Sequence, residues 1–356
     1  MKHFGIYANS GDVNTALVEE SLVKPYVALV SGALDYNTQE AEVDYSQMPL
    51  TLEFLESGTI ELNNELHGVL NYSLNGGEWT TPDEYEEGTA ERTEISVSSG
   101  DTIAFKLDQK TYGMSLRFDG EIINLNDLTF NAYGNVMSTA MSGLNQDFTQ
   151  MFALGGENGS MANMFYGTSI VSAENLVLPT TGFTGGYEYE YMFAECTELV
   201  KAPRVLPATV LSEYCYNHMF DRCTALTQAP ELPATTLAAG CYDTMFLLCS
   251  SLVSAPVLPA PVLVDGCYSY MFESCTGLTS VTCLATSIAQ DASPFGETTM
   301  CEADYWLYDT NWDGGTFYKA ANTTIPWCVI PEDDSQYECT GYEVGPYTWT
   351  IQNYQG

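Results

Sequence analysis

Apolar residues return at fixed intervals through the middle of this chain. Five Met-Phe pairs, Met164-Phe165, Met192-Phe193, Met219-Phe220, Met245-Phe246 and Met271-Phe272, follow at steps of 28, 27, 26 and 26 residues. Behind each of the last four come Cys and then Leu: Cys196/Leu199, Cys223/Leu226, Cys249/Leu252 and Cys275/Leu278. Ala-Pro and Leu-Pro follow in three units: Ala202-Pro203 with Leu206-Pro207, Ala229-Pro230 with Leu232-Pro233, and Ala255-Pro256 with Leu258-Pro259. Cys-Tyr precedes three of the pairs, at Cys215-Tyr216, Cys241-Tyr242 and Cys267-Tyr268. A unit of this size cannot bury its own apolar face, so the period predicts stacked units that share one core. LTQAP (226–230) and its equivalents predict a short strand, ended by a proline that has no N–H for the ladder. LPATTLAAGCYDTMFLLC (232–249) predicts a return through a turn and a short helix or irregular arm.

Upstream the period drops to two. LTLEFLESGTIEL (50–62) alternates, and turn residues interrupt the alternation at Asn75-Gly76-Gly77, Ser99-Gly100-Asp101 and Asp119-Gly120. Residues 41–135 are therefore expected to form a small antiparallel β-sandwich with its own core. PDEYEEGTAE (82–91) reads as a solvated acidic loop, and residues 136–163 as the atypical first turn of the array. Residues 1–40 stand apart: Asp12 or Ser10 caps a short helix over 13–23, Pro25 ends it, and YVALV (26–30) reads as a strand. That strand has no obvious local partner, so residues 1–40 are expected to attach the chain to a larger assembly by strand pairing.

LPATVLSEYCYNHMFDRCTAL (206–226) and LPATTLAAGCYDTMFLLCSSL (232–252) closely resemble the BspA-like leucine-rich repeats. The tail, GGTFYKAANTTIPWCVIP (314–331) and YTWTIQNY (347–354), is similar to the segment that follows such repeats, and YSLNGGEWTT (72–81) to the β-domain that precedes them. KPYVALVSGALDYN (24–37) resembles the N-termini of structural proteins of crAss-like bacteriophages. The resemblance implies a mainly β chain with short helices: an N-terminal attachment segment (1–40), a β-sandwich (41–135), a leucine-rich-repeat solenoid (136–290) and a C-terminal β cap (291–356). It implies a non-enzymatic protein of a phage virion surface, such as a head fibre or capsid decoration. Such a protein would be assembled in the host cytoplasm and would bind other virion proteins through residues 1–40. The alternative is a bacterial cell-surface adhesin with its signal peptide removed.

Charge narrows the partners. The 356 residues carry Lys+Arg 10 against Asp+Glu 47, a net charge of −37. Such a chain is repelled by nucleic-acid phosphates and by anionic membranes. No stretch reaches transmembrane length, and MKHFGIYANSGDV (1–13) holds no apolar run of signal-peptide length. Seven of the 11 cysteines fall in the two repeat columns, where periodic Cys behaves as a small buried hydrophobe. Any disulfide is expected among Cys301, Cys328 and Cys339, and the absence of Cys-x-x-Cys argues against zinc.

Little catalytic chemistry is visible. His218 follows Cys215 by three residues, but the same slot holds Tyr191, Thr244 and Tyr270, so a thiol nucleophile is not expected there. DTNWDGG (309–315) sets Asp309, Asn311 and Asp313 at the alternate positions of a Ca²⁺ loop. Its closing carboxylate is missing, since Ala320 stands there, so a plain turn and a calcium site both remain open; no other cofactor is expected. Residues on either side of each Met-Phe pair change from unit to unit while the frame does not. They are expected to face solvent, and Tyr191, His218, Arg222 and Tyr270 are the candidate residues for binding a host-surface polysaccharide or protein. An unused solvated face is the competing reading, and a homo-oligomer is left open.

Overall fold

The computed structural model describes residues 43–62, 70–82, 92–107, 117–118, 123–139, 161–178, 186–295, 305–330, 342–346 and 348–355. The expected attachment segment 1–40, the acidic loop beyond Pro82, the Asp119-Gly120 turn, Cys301 and Cys339 lie outside them. The chain is mainly β, with three 3₁₀ turns as the helical content of the described residues, and none of their sheets closes into a barrel.

The alternating segments form strands as their periodicity requires. β1 (Thr51–Phe54), β2 (Gly58–Leu62), β3 (Leu70–Leu74), β4 (Thr93–Val97), β5 (Thr102–Leu107), β6 (Ile123–Asn124) and β7 (Phe130–Asn135) build two antiparallel sheets, β3-β5-β1-β7 and β4-β2-β6. Leu52, Phe54, Ile60, Leu62, Ile103, Phe105, Ile123 and Phe130 are all fully buried between them. Gly134 is required at the end of β7. Its φ is +88°, and a Cβ there would sit 2.1 Å from the Pro49 carbonyl oxygen.

The separate core expected for residues 41–135 is not found. β8 (Ile170–Val177) adds in parallel to β7 as a fifth strand. Single bridges then carry the ladder on from Ser172 to Lys201, Gln228 and Ser254. It continues through β9 (Ser254–Leu258), β11 (Ser280–Cys283), β13 (Thr316–Lys319) and β16 (Thr350–Asn353), all parallel. The short pair β10 (Val262–Leu263) and β12 (Ser287–Ile288) and the pair β14 (Trp327–Ile330) and β15 (Tyr342–Pro346) are parallel too. One core runs the whole length, because any edge left bare at β7 would expose the ring of Phe165 beside Phe118 and Phe130.

The strands expected at each Ala-Pro shrink to one bridging residue at Lys201 and at Gln228. Pro203 and Pro230 offer no N–H, so the ladder is interrupted there and resumes at the Val205–Glu231 bridge. β9 survives its Pro256 only through a register shift opposite Ser280 and Thr282.

Among the described residues the return arms contain no α-helix. Their backbone groups alternate between two destinations. In one arm the N–H groups of Tyr214, Tyr216, His218, Phe220 and Arg222 donate to the carbonyls of Ala239, Cys241, Asp243, Met245 and Leu247 in the next arm, at 2.8–3.1 Å. The intervening Asn217, Met219, Asp221 and Cys223 donate instead to the carbonyl three residues back. Each four-residue turn is reset by a residue with positive φ: Tyr214, His218 and Arg222 in this arm, Gly240, Thr244 and Leu248 in the next. At Gly240 a Cβ would meet the Tyr214 ring at 2.2 Å, which excludes a side chain.

Identical side chains stack along the array. Phe165, Phe193, Phe220, Phe246 and Phe272 lie face to face at 5.3–5.6 Å. Tyr189, Tyr216, Tyr242 and Tyr268 form a second buried column, ended by Trp306. Trp306 belongs to a further turn after a longer insertion: Phe272 N–H donates to its carbonyl and Ser274 N–H to that of Tyr308, both at 2.8 Å.

The cysteine columns also have a bonding role. The thiols of Cys196, Cys223, Cys249 and Cys275 donate to the carbonyls of Phe165, Phe193, Phe220 and Phe246 in the preceding unit, at 2.8–3.1 Å. Eight of the nine described cysteines are buried. Burial holds the thiols of Cys215, Cys223, Cys241, Cys249, Cys267 and Cys275 well above their ordinary range.

Candidate functional site

Two surfaces bring polar and aromatic side chains together. The first is the row along the return arms that the repeat comparison singles out. Tyr191 and His218 occupy equivalent left-handed positions in neighbouring arms, and their rings stack at 4.4 Å and 15°. Tyr166 meets Tyr191 edge-on at 6.4 Å. His218 Nδ1 lies 3.1 Å from Asp221 Oδ2, and Arg222 donates to the same oxygen at 3.0 Å. Arg222 also lies 3.7 Å from Glu195. The structure thus joins Tyr191, His218 and Arg222 into one patch. Tyr270 lies two arms further on, beyond Thr244.

Not every variable slot faces solvent. Ala194, Asn217, Asp221, Thr244 and Ser269 are buried. The arm turns every four residues, so one member of most pairs points inward. Here Asn217 Nδ2 donates to Glu190, while Asn217 Oδ1 and Asp221 Oδ1 have no hydrogen-bond partner. Burial raises the carboxyls of Glu190 and Asp243 above the usual carboxylate range. The Tyr191 phenol is raised for the same reason.

The DTNWDGG segment is the turn that follows Trp306. Asp309 accepts from the Trp312 indole N–H at 3.0 Å, and Asn311 Oδ1 accepts from the Asp313 N–H at 2.9 Å, as an Asx turn does. Among the described residues no three of His, Cys, Asp or Glu converge as a metal-binding group, and no helix is long and apolar enough to cross a membrane.

The second surface was not legible in the sequence. A groove of about 660 Å³ lies on the solvent side of β1, β7 and β8, where they meet the first bridging residue, Lys201. Glu53, Asn131 and Tyr133 reach it from β1 and β7; Ser172, Glu174 and Asn175 reach it from β8. Tyr45, in the 3₁₀ turn Tyr45–Gln47, packs edge-on against Tyr133 at 5.7 Å. Glu53 accepts from Asn131 Nδ2 at 3.1 Å. Glu174 accepts from Lys201 Nζ at 2.8 Å and lies 3.4 Å from Arg204. Burial, with the nearby Glu53, pushes the Tyr133 phenol up to about 12. It therefore remains a protonated donor at neutral pH.

Neither surface pairs a nucleophile with a base held for proton transfer; both offer fixed aromatic faces and hydrogen-bonding groups, which suits binding. Compared with protein-family models, curated proteins and solved structures, this chain matches none.

Proposed function

We propose that this chain is a surface protein of a bacteriophage virion, a head fibre or capsid decoration, that displays a leucine-rich-repeat solenoid for binding host-surface polysaccharide or protein. In this reading residues 136–290 are the solenoid, residues 291–356 its C-terminal β cap, and residues 1–40 the attachment to other virion proteins. The observation that carries it is the patch of Tyr191, His218 and Arg222 on a frame of hydrogen-bonded arms. A rigid row whose residue types change while the backbone does not is what a repeat array offers to a large ligand. Aromatic and Arg side chains supply contact area at low entropic cost. The acidic surface supports display outside the cell, since a charge of −37 keeps the chain soluble and away from phosphate-rich surfaces.

Immunogold labelling of particles purified from lysates of cells that carry the gene tests the location. Label on capsids is expected. Label confined to cell envelopes would replace this reading with that of a bacterial adhesin. Joint replacement Tyr191→Ala, His218→Ala, Arg222→Ala and Tyr270→Ala is expected to reduce adsorption of the purified protein to host cells. Undiminished adsorption would remove this row from the account.

A further inference from the structure

The groove at Tyr45 and Tyr133 has a chemistry of its own. Its volume falls within the roughly 300–1,000 Å³ of small-ligand clefts. Its floor is three hydrogen-bonded strands, so Glu53, Asn131, Tyr133, Ser172 and Asn175 are held at fixed spacing. Its wall is a pair of tyrosines set edge to face. Its charge is unusual for this chain. Two of the ten basic residues, Lys201 in its lining and Arg204 beside it, pair with Glu174, and the other carboxylate of the lining, Glu53, is in none of the ion pairs among the described residues. An anion meets the field of a chain of net charge −37 here, and a cation finds Glu174 already paired, so its attraction to the groove rests on Glu53 alone.

The groups left over are those that recognise hydroxyls. Glu53 accepts from Asn131 through Oε2 and carries a second carboxylate oxygen, and Asn175, which lines the groove, brings both donors and an acceptor. Tyrosine faces cover the apolar C–H side of a ring while the carboxylate and amides take its hydroxyls. We propose that this groove is a binding site for an uncharged saccharide, clasped between Tyr45/Tyr133 and the Glu53–Asn131–Asn175 floor. The site rests on the glycan-binding part of the reading above and places the contact on a different surface from the Tyr191 row.

The test uses the full chain. Maltohexaose, cellohexaose and mannohexaose serve as neutral probes, with sialyllactose and spermidine as anionic and cationic controls. Saturation-transfer NMR and calorimetry should show binding of at least one neutral probe and of neither control. Tyr45→Ala and Asn175→Ala, both at partly exposed positions, are expected to weaken it by about tenfold each with unchanged circular dichroism. Val210→Ala, at an exposed position of neither surface, should leave it unchanged. The proposal is overturned if no neutral probe binds, if a control binds instead, or if Tyr45→Ala and Asn175→Ala bind normally. Binding lost only in the Tyr191→Ala, His218→Ala double variant would overturn the groove while keeping glycan recognition for the row. Particle labelling, which reads neither surface, separates a failure of this proposal from a failure of the virion reading.

Discussion

The cysteine columns show how one residue type meets two demands. The carbonyls of Phe193, Phe220, Phe246 and Phe272 already accept from the Cys N–H three residues on, and that of Phe165 from Thr168 N–H, so one lone pair of each is left over in the buried core. A thiol fits that space and can donate to it weakly. Cys249→Ala should therefore cost about 1–2 kcal/mol, combining a small cavity with a weakened hydrogen bond. Cys249→Ser should cost less than its poorer hydrophobicity suggests, because a hydroxyl can donate to Phe220 O. Thr168 and Thr310 already make such bonds within their own turns. Chemical denaturation of the two variants measures the difference. A second residue-scale consequence concerns Asp243. Its carboxyl is raised by burial, so the folded chain binds its proton more tightly than the unfolded chain does. That favours folding at low pH, and the benefit is lost as pH rises through the folded-state value. Asp243→Asn should raise Tm by a few degrees at pH 7, and the gain should vanish as pH falls below the ordinary carboxylate range. A gain that persists at pH 3 would mean that the charge is not its origin.

At the scale of the element, the return arm depends on left-handed residues that carry side chains. Leu248 has φ +61° and is partly exposed, so its Cβ strains the turn while its side chain buries little. Leu248→Gly should stabilise the fold by about 1 kcal/mol, and Leu248→Val should destabilise it. A thermal melt that ranks the three in another order would show that packing at this slot outweighs backbone strain. These arms also explain what sequence reading recovers and what it misses. The Met-Phe, Cys and Leu positions were legible because the same buried environment recurs at each step and selects the same side chain. The turns were not, because residues such as Tyr191, His218, Arg222 and Thr244 stand where Gly or Asn would have signalled positive φ. The turn at Trp306-Leu307 escaped the pattern for a related reason: Thr310 takes the place of Cys, and an insertion breaks the step. The groove was hidden because Glu53, Tyr133, Asn175 and Lys201 are far apart in sequence and meet only through β7–β8 pairing.

Among the described residues one ladder runs from β3 to β16, beside the separate sheets β4-β2-β6, β10-β12 and β14-β15, so its two ends are linked. The antiparallel sheets shield the edge of β8 and the face of Phe165. A chain reduced to residues 161–356 should then lose the protection of the β8 amides that β7 covers, around Ser172 and Asn175, while Ala173 N–H keeps its acceptor at Lys201 O, and should expose an aggregation-prone edge. Hydrogen exchange with mass spectrometry reads this directly. Native-like protection in the fragment would mean that the repeat stack caps itself. Loss of protection spreading inward, arm by arm, is what nearest-neighbour coupling predicts.

The buried tyrosine column has an optical consequence. Tyr189, Tyr216, Tyr242 and Tyr268 lie ring over ring at 5.3–6.1 Å, and the last stands 6.3 Å from Trp306, which is shielded from water. Excitation absorbed anywhere along these phenols can pass down the stack to Trp306 and on to Trp327, 5.9 Å from it. Each molecule thus carries a light-gathering file whose indole emission reports whether the intervening arms are in place.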